Sequence, residues 1–208
     1  MSDKLFDAAN HYFKEMEGKT FLLKAGKKGE ILNLKIYFGA EHFKHLIGLQ
    51  KLQDRPSVLR KSEIVYKEIL DSKITFDKIK SSKYLHLMED RLNCFEKIKE
   101  VLFNSKIMSK SKHGEYKSIK ADFLLLKKDE QEGNIHLFLS NTKNGITIPC
   151  TFFTRQDEKY LKDTIKWTVL NVSEISKEEK QQTQPQISQS KSLKFSFQVE
   201  IEPIKLKR

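Results

Sequence analysis

Ile119-Lys120-Ala121-Asp122-Phe123-Leu124-Leu125-Leu126, then the turn Gln131-Glu132-Gly133-Asn134, then Ile135-His136-Leu137-Phe138-Leu139 decides the fold class. Two apolar runs of strand length flank a short Gly-containing turn, the pattern of a hairpin. Working outward, Asn141 to Gly145 is another turn, Ile146 to Phe153 a third strand and Thr164 to Val172 a fourth. Short loops between successive strands require antiparallel neighbours, because a parallel pair needs a long crossover. The sequence therefore predicts a four-stranded antiparallel meander.

Towards the N-terminus the texture changes near Asn104. Leu5, Phe6, Ala9, Tyr12, Phe13 and Met16 recur at helical spacing until Gly18. Thr20 to Lys24 and Ile31 to Phe38 flank a Gly-containing turn and read as a small hairpin. Ala40 to Leu52 reads as a short helix or turn, and Pro56-Ser57 opens another helix. Ile74 to Ile79 reads as a further helical turn. Leu85, Met88, Leu92, Phe95, Ile98 and Leu102 predict one strong helix over Lys83 to Phe103. Lys106 to Lys120 is polar and lysine-rich and reads as a mobile loop. The whole is an α+β domain over residues 1–172, with a helical part at 1–105 and a sheet part at 118–172. Residues 173–190, rich in Ser, Glu, Lys and Gln, read as a flexible linker. Leu193, Phe195, Phe197, Val199 and Ile201 then alternate with polar residues before Pro203, so 191–208 reads as a C-terminal edge strand.

Lys and Arg number 39 against 28 Asp and Glu, a formal charge of +11. That balance favours polyanionic partners. No apolar stretch approaches the roughly 20 residues of a membrane span, and the N-terminus lacks a signal-peptide core, so a cytoplasmic protein is expected. Cys94 and Cys150 fit no metal-binding spacing and read as free thiols. Neither a metal nor another cofactor is expected.

The stretch densest in reactive groups is Glu41-His42-Phe43-Lys44-His45-Leu46-Ile47-Gly48-Leu49, after the strand Leu34-Lys35-Ile36-Tyr37-Phe38. On a helix, residues three apart share a face, so His42 and His45 could serve one cleft. In this order with Ile119 to Leu125, Leu137-Phe138-Leu139 and Pro149-Cys150-Thr151-Phe152-Phe153, the chain resembles the barnase–EndoU–colicin–RelE superfamily of small ribonucleases. The likeness is to the fourth group of its phage-associated branch and spans roughly Phe21 to Val172. The family's His-Leu-Thr-Gly is met by His45-Leu46-Ile47-Gly48, and its Pro-x-Ser-Phe-Phe-like segment by Thr151 before Phe152 and Phe153. The resemblance implies a metal-independent endoribonuclease of toxin or defence type. It also implies RNA as partner, tRNA being one candidate, and an inhibitor or antitoxin protein.

Such chemistry uses the substrate's 2′-hydroxyl as nucleophile and leaves a 2′,3′-cyclic phosphate. It needs a base, an acid and cationic donors at the phosphoryl oxygens. His45 is the first candidate for acid or base, with His42 as its partner. Lys35 and Arg60 are candidates to hold the phosphate and stabilise its charge, and Thr151 to line the cleft from the sheet. Lys44, Lys61, Lys110, Lys112 and Arg155 are candidate RNA-binding cations. Tyr66 is a candidate base-stacking ring and His113 a second-choice catalytic histidine. The rival reading is a catalytically silent basic module that binds RNA or protein.

Overall fold

The carboxylate of Asp3 starts the fold. It accepts the N–H groups of Leu5 and Phe6 at 2.9 and 3.0 Å, and its second oxygen accepts that of Phe76 at 2.8 Å. An N-terminal acceptor of this kind satisfies donors that helix geometry leaves orphaned. Helix α1 (Lys4–Glu15) follows. The computed structural model describes residues 3–112, 115–116, 119–157 and 159–175. The expected linker beyond Ile175, the C-terminal strand and His113 lie outside them.

Strands β1 (Thr20–Lys27) and β2 (Glu30–Tyr37) form the expected hairpin. Lys28 and Gly29 both have positive φ, 48° and 85°, the two-residue turn whose twist matches that of the strands. Helices α2 (Ala40–Ile47), α3 (Pro56–Leu59), α4 (Ser62–Leu70) and α5 (Phe76–Ile79) come next, then α6 (Glu89–Cys94) and α7 (Ile98–Asn104). The remaining strands are β3 (Ile107–Ser111), a small hairpin of β4 (Glu115–Tyr116) and β5 (Ile119–Lys120), β6 (Phe123–Asp129), β7 (Gly133–Asn141), β8 (Thr147–Arg155) and β9 (Thr164–Glu174).

The large sheet closes into a barrel of order β1-β2-β8-β7-β6-β3-β9. An all-antiparallel ring needs an even number of strands. A seven-stranded ring must therefore contain a parallel junction, and here it is β2 against β8, through the single pair Ile36↔Thr147.

The α+β class holds, but four expectations are corrected. The meander has three strands, β6-β7-β8. The fourth expected strand, β9, pairs with β3 and β1 instead of β8. The expected loop at Lys106–Lys120 contains β3, which lies inside the sheet between β6 and β9. Its serines disguised it: Ser109 is buried because the β4–β5 hairpin folds over it, with the Tyr116 hydroxyl donating to the Ser109 carbonyl. The expected long helix Lys83–Phe103 is broken at Met88 (φ −124°, ψ −12°) and at Cys94 (φ −104°, ψ 5°). Its apolar spacing is right, yet tertiary packing overrides the local helical preference. Strand β9 also runs through Ser173 and Glu174, the first residues of the expected linker.

The main core joins the helices to the inner face of the barrel through touching rings. Tyr12 contacts Phe43 (5.5 Å between centroids), Phe43 contacts Phe95 (5.4 Å), and Phe95 contacts Phe152 of β8 (5.9 Å). Edge-on and tilted pairs at these distances are favourable beyond their buried area. A second cluster covers the outer face: Tyr116, Leu124, Phe138, Phe153 and Tyr160. Within it the fully buried His136 lies near-parallel to Phe138 (11°) and Phe153 (22°).

Burial holds the His136 imidazole neutral and lowers its pKa from 6.5 to about 4. Between those values the unfolded chain binds a proton that the folded chain does not. The contribution of this site to stability is thus complete above pH 6.5 and lost as pH falls through about 4. The loss amounts to about 3 kcal/mol. Urea unfolding of wild type and His136→Phe at neutral and acidic pH should show the variant losing less stability across that window.

Candidate active-site cleft

Strand alternation and one bulge build the floor of a cleft on the outer face of β8. Phe138 pairs with Thr151 but Leu139 with Pro149, leaving Cys150 as the extra residue. A bulge of this kind re-aims the side chains around it. Here it turns Thr151 outward beside Phe138 while Leu139 faces the main core. Thr151, Phe153 and Arg155, two residues apart, then share the outer face. The cleft has a volume of about 910 Å³. His86, Asp90 and Arg91 form one wall, and Ile119, Lys120 and Tyr160 another. Gln50 and Lys51, with Gln131, Glu132 and Gln156, add further polar groups to the lining.

Arg91 is the central cation. Its Nη1 donates to Thr151 Oγ1 at 2.8 Å and reaches the His45 carbonyl at 3.4 Å. Its guanidinium carbon stands 5.5 Å from the centroid of Phe153. Burial pushes its pKa down, countered in part by Cys94, Asp90 and Tyr160. A guanidinium nevertheless stays protonated. Among the described residues no carboxylate forms an ion pair with it. It is a half-buried positive charge held by a hydroxyl, a carbonyl and a ring face, with its Nε and Nη2 edge not used by those contacts.

Gly48 makes room for that side chain. It ends α2 in the left-handed region (φ +86°), and a Cβ there would stand 2.8 Å from Arg91 Cδ. The motif glycine therefore has two duties, turning the chain and letting Arg91 pass.

The sequence candidates fall into two groups. Thr151 and Arg155 are brought together on the cleft floor. His45 sits exposed in the last turn of α2, beside the cleft, with its carbonyl touching Arg91. Partial burial and the charge of Lys44 lower its pKa. The others point elsewhere. His42 is buried, and its Nδ1 accepts the Gly39 N–H at 2.9 Å, while Tyr12 donates to the Gly39 carbonyl at 2.9 Å. It thereby caps the start of α2, and burial lowers its pKa. Lys44 is buried with its Nζ on the Arg60 carbonyl. Arg60 grips Glu68 with both Nη groups and Ser57 O with its Nε (3.1 Å). Lys35, half-buried on β2, and the exposed Lys61, Lys110 and Lys112 do not line the cleft. Tyr66 is core: its hydroxyl donates to Glu17 at 2.9 Å and its ring lies 4.9 Å from Phe43.

Sequence reasoning missed Arg91, His86, Phe153 and Tyr160 as site residues. One signal was available for Arg91. It lies three residues after Met88 and four before Phe95, on the apolar stripe of the expected helix. A charge in that position is costly unless something receives it.

Both cysteines are free thiols, and burial pushes Cys94 up to about 12. Among the described residues no cluster of three or more His, Cys, Asp or Glu is placed to hold a metal ion. Likewise, no helix is long and apolar enough to cross a membrane.

The two duties of Gly48 are separable by a double-mutant cycle. Gly48→Ala should cost about 1–2 kcal/mol from its φ alone, with a further loss from the contact with Arg91. In an Arg91→Ala background that further loss should vanish, and chemical denaturation of the four proteins reads the coupling.

No curated protein and no solved structure matched the chain. The family model described as phage-Barnase-EndoU-ColicinE5/D-RelE like nuclease4 matches residues 4–193. The match takes in every strand of the barrel, the helices around it and all the residues that line the cleft, and the chain belongs to this nuclease family.

Proposed function

We propose that the cleft on β8 binds a phosphodiester of RNA and cleaves it without a metal ion. The observation that carries this reading is Arg91, a half-buried cation fixed in place without a neutralising carboxylate among the described residues. Such a group favours an incoming anion. Its remaining edge can donate two parallel hydrogen bonds to phosphoryl oxygens. Thr151, whose oxygen already accepts from Arg91, keeps its own proton to donate to the same anion. Lys51, Lys120 and Arg155 add positive charge around the cleft.

Two histidines are available to this phosphate site: His86 lines the cleft, and His45, outside the lining, touches Arg91 through its backbone carbonyl. We assign them as the acid–base pair. One takes the proton of the 2′-hydroxyl as it attacks the adjacent phosphorus. The other gives a proton to the departing 5′-oxygen, and the product carries a 2′,3′-cyclic phosphate. The lowered pKa of His45 leaves it neutral near pH 7, which suits the base.

Purified protein incubated with RNA and EDTA should yield cyclic phosphate or 3′-phosphate ends. A substrate carrying a single 2′-deoxy sugar at the scissile position should be inert, and normal cutting of it would falsify the scheme.

Variants separate the roles. Arg91→Lys should lower kcat by about 10²–10³-fold, the scale of a lost transition-state donor. His86→Ala and His45→Ala should each lower it by about 10²–10⁴-fold with little change in RNA affinity. A silent binding module would instead bind RNA in an Arg91-dependent way and release no product.

A further inference from the structure

The cleft continues beyond Arg91 to a second guanidinium in a different setting. Arg155 Cζ stands 5.9 Å from the centroid of Phe153 and 5.9 Å from that of Tyr160. Those rings are 8% and 6% exposed, whereas the Arg155 side chain is 44% exposed. The rings are thus covered and the guanidinium is the accessible layer. Its support is stiff: Phe153 lies near-parallel to Phe138 (26°) and His136 (22°), and Tyr160 meets Phe138 edge-on at 5.3 Å.

The neighbouring groups are of a different kind from those around Arg91. Gln156 lies against Gly133, where a Cβ would stand 2.7 Å from its Oε1, and its backbone carbonyl accepts from Asn134 Nδ2 at 3.3 Å. Gln131 and Glu132 line the same end. Amide and carboxylate edges of this sort hydrogen-bond the edges of nucleobases. Among the described residues the ionic contact of Arg155 is a long one, 3.7 Å to Asp157.

We propose that the Arg155 end of the cleft is a nucleobase subsite, in which an unpaired base of the substrate stacks on the exposed face of the guanidinium with its edge towards Gln156, Gln131 and Glu132. The proposal rests on the phosphate reading of Arg91. Both guanidiniums stand against the same Phe153 ring, so the phosphate and base sites adjoin. A base can reach this layer only when it has left a helical stack. The substrate class is therefore single-stranded or looped nucleic acid, and duplex is excluded.

The test uses binding of a short 2′-deoxy oligonucleotide, which the proposed chemistry cannot cut, and a series carrying one abasic site at each position in turn. Wild type should lose about tenfold or more in affinity at one position, the scale of one stacked base. Arg155→Lys keeps the charge but not the plane, so it should bind the intact strand about as weakly as wild type binds the abasic one, with the positional dependence gone. An unchanged abasic profile in Arg155→Lys overturns the subsite. So does a wild type indifferent to every abasic site while binding still depends on Arg91, a result that leaves the phosphate reading standing. Absence of any binding, or binding that ignores Arg91→Ala, overturns both.

Discussion

A ring of seven strands cannot alternate direction all the way round, and the rest of this molecule is arranged about the place where alternation fails. That place is β2 against β8, joined by one residue pair. Helix α2 follows β2 after a two-residue link and packs against β8, and α6 packs there as well. Where backbone pairing is least, side chains from helices supply the contact. The ring contact of Phe95 with Phe152 and the hydrogen bond of Arg91 to Thr151 both land on β8, on opposite faces of the strand. The cleft thus lies along the strand with the least strand-to-strand support on one side and the most helical support.

The cleft also draws on an uneven distribution of charge and burial. The basic excess of the chain is largely spread over its exterior, where lysines such as Lys73 and Lys80 pair with nearby carboxylates. Such pairs contribute little. Arg91 differs because its surroundings exclude water on one side while, among the described residues, no carboxylate forms an ion pair with it.

Much of the frame was legible because local chemistry and global fold agree there. The Lys28-Gly29 turn, the helical spacing of α1 and the apolar runs of β6, β7 and β8 each state their element in a handful of residues. What was not legible depends on partners distant in sequence. Ser109 reads as loop until Tyr116 covers it. Thr164 to Val172 reads as the next strand of a meander, and nothing local says that it closes a ring with β1. The site divides in the same way. Thr151 and Arg155 could be found because β8 was found, whereas Arg91 sits on the apolar stripe of a helix that the fold in fact breaks, and nothing local says what receives its charge. His42 looked reactive because histidine usually is, but its lone pair is committed to a backbone amide.

Ring closure has a kinetic consequence. β1 is among the first elements of the chain, yet its outer partner is β9, with Leu22 opposite Ser173. Until β9 has been synthesised, the edge of β1 stands open, and an open edge is a template for pairing with other chains. Contacts of such long sequence separation also slow folding, because loop entropy is lost before the contact forms. The cleft, made from α6 and β8, is complete in sequence before the strand that closes the barrel. The stage most exposed to aggregation is therefore late, when the parts of the site exist and the wall opposite them does not.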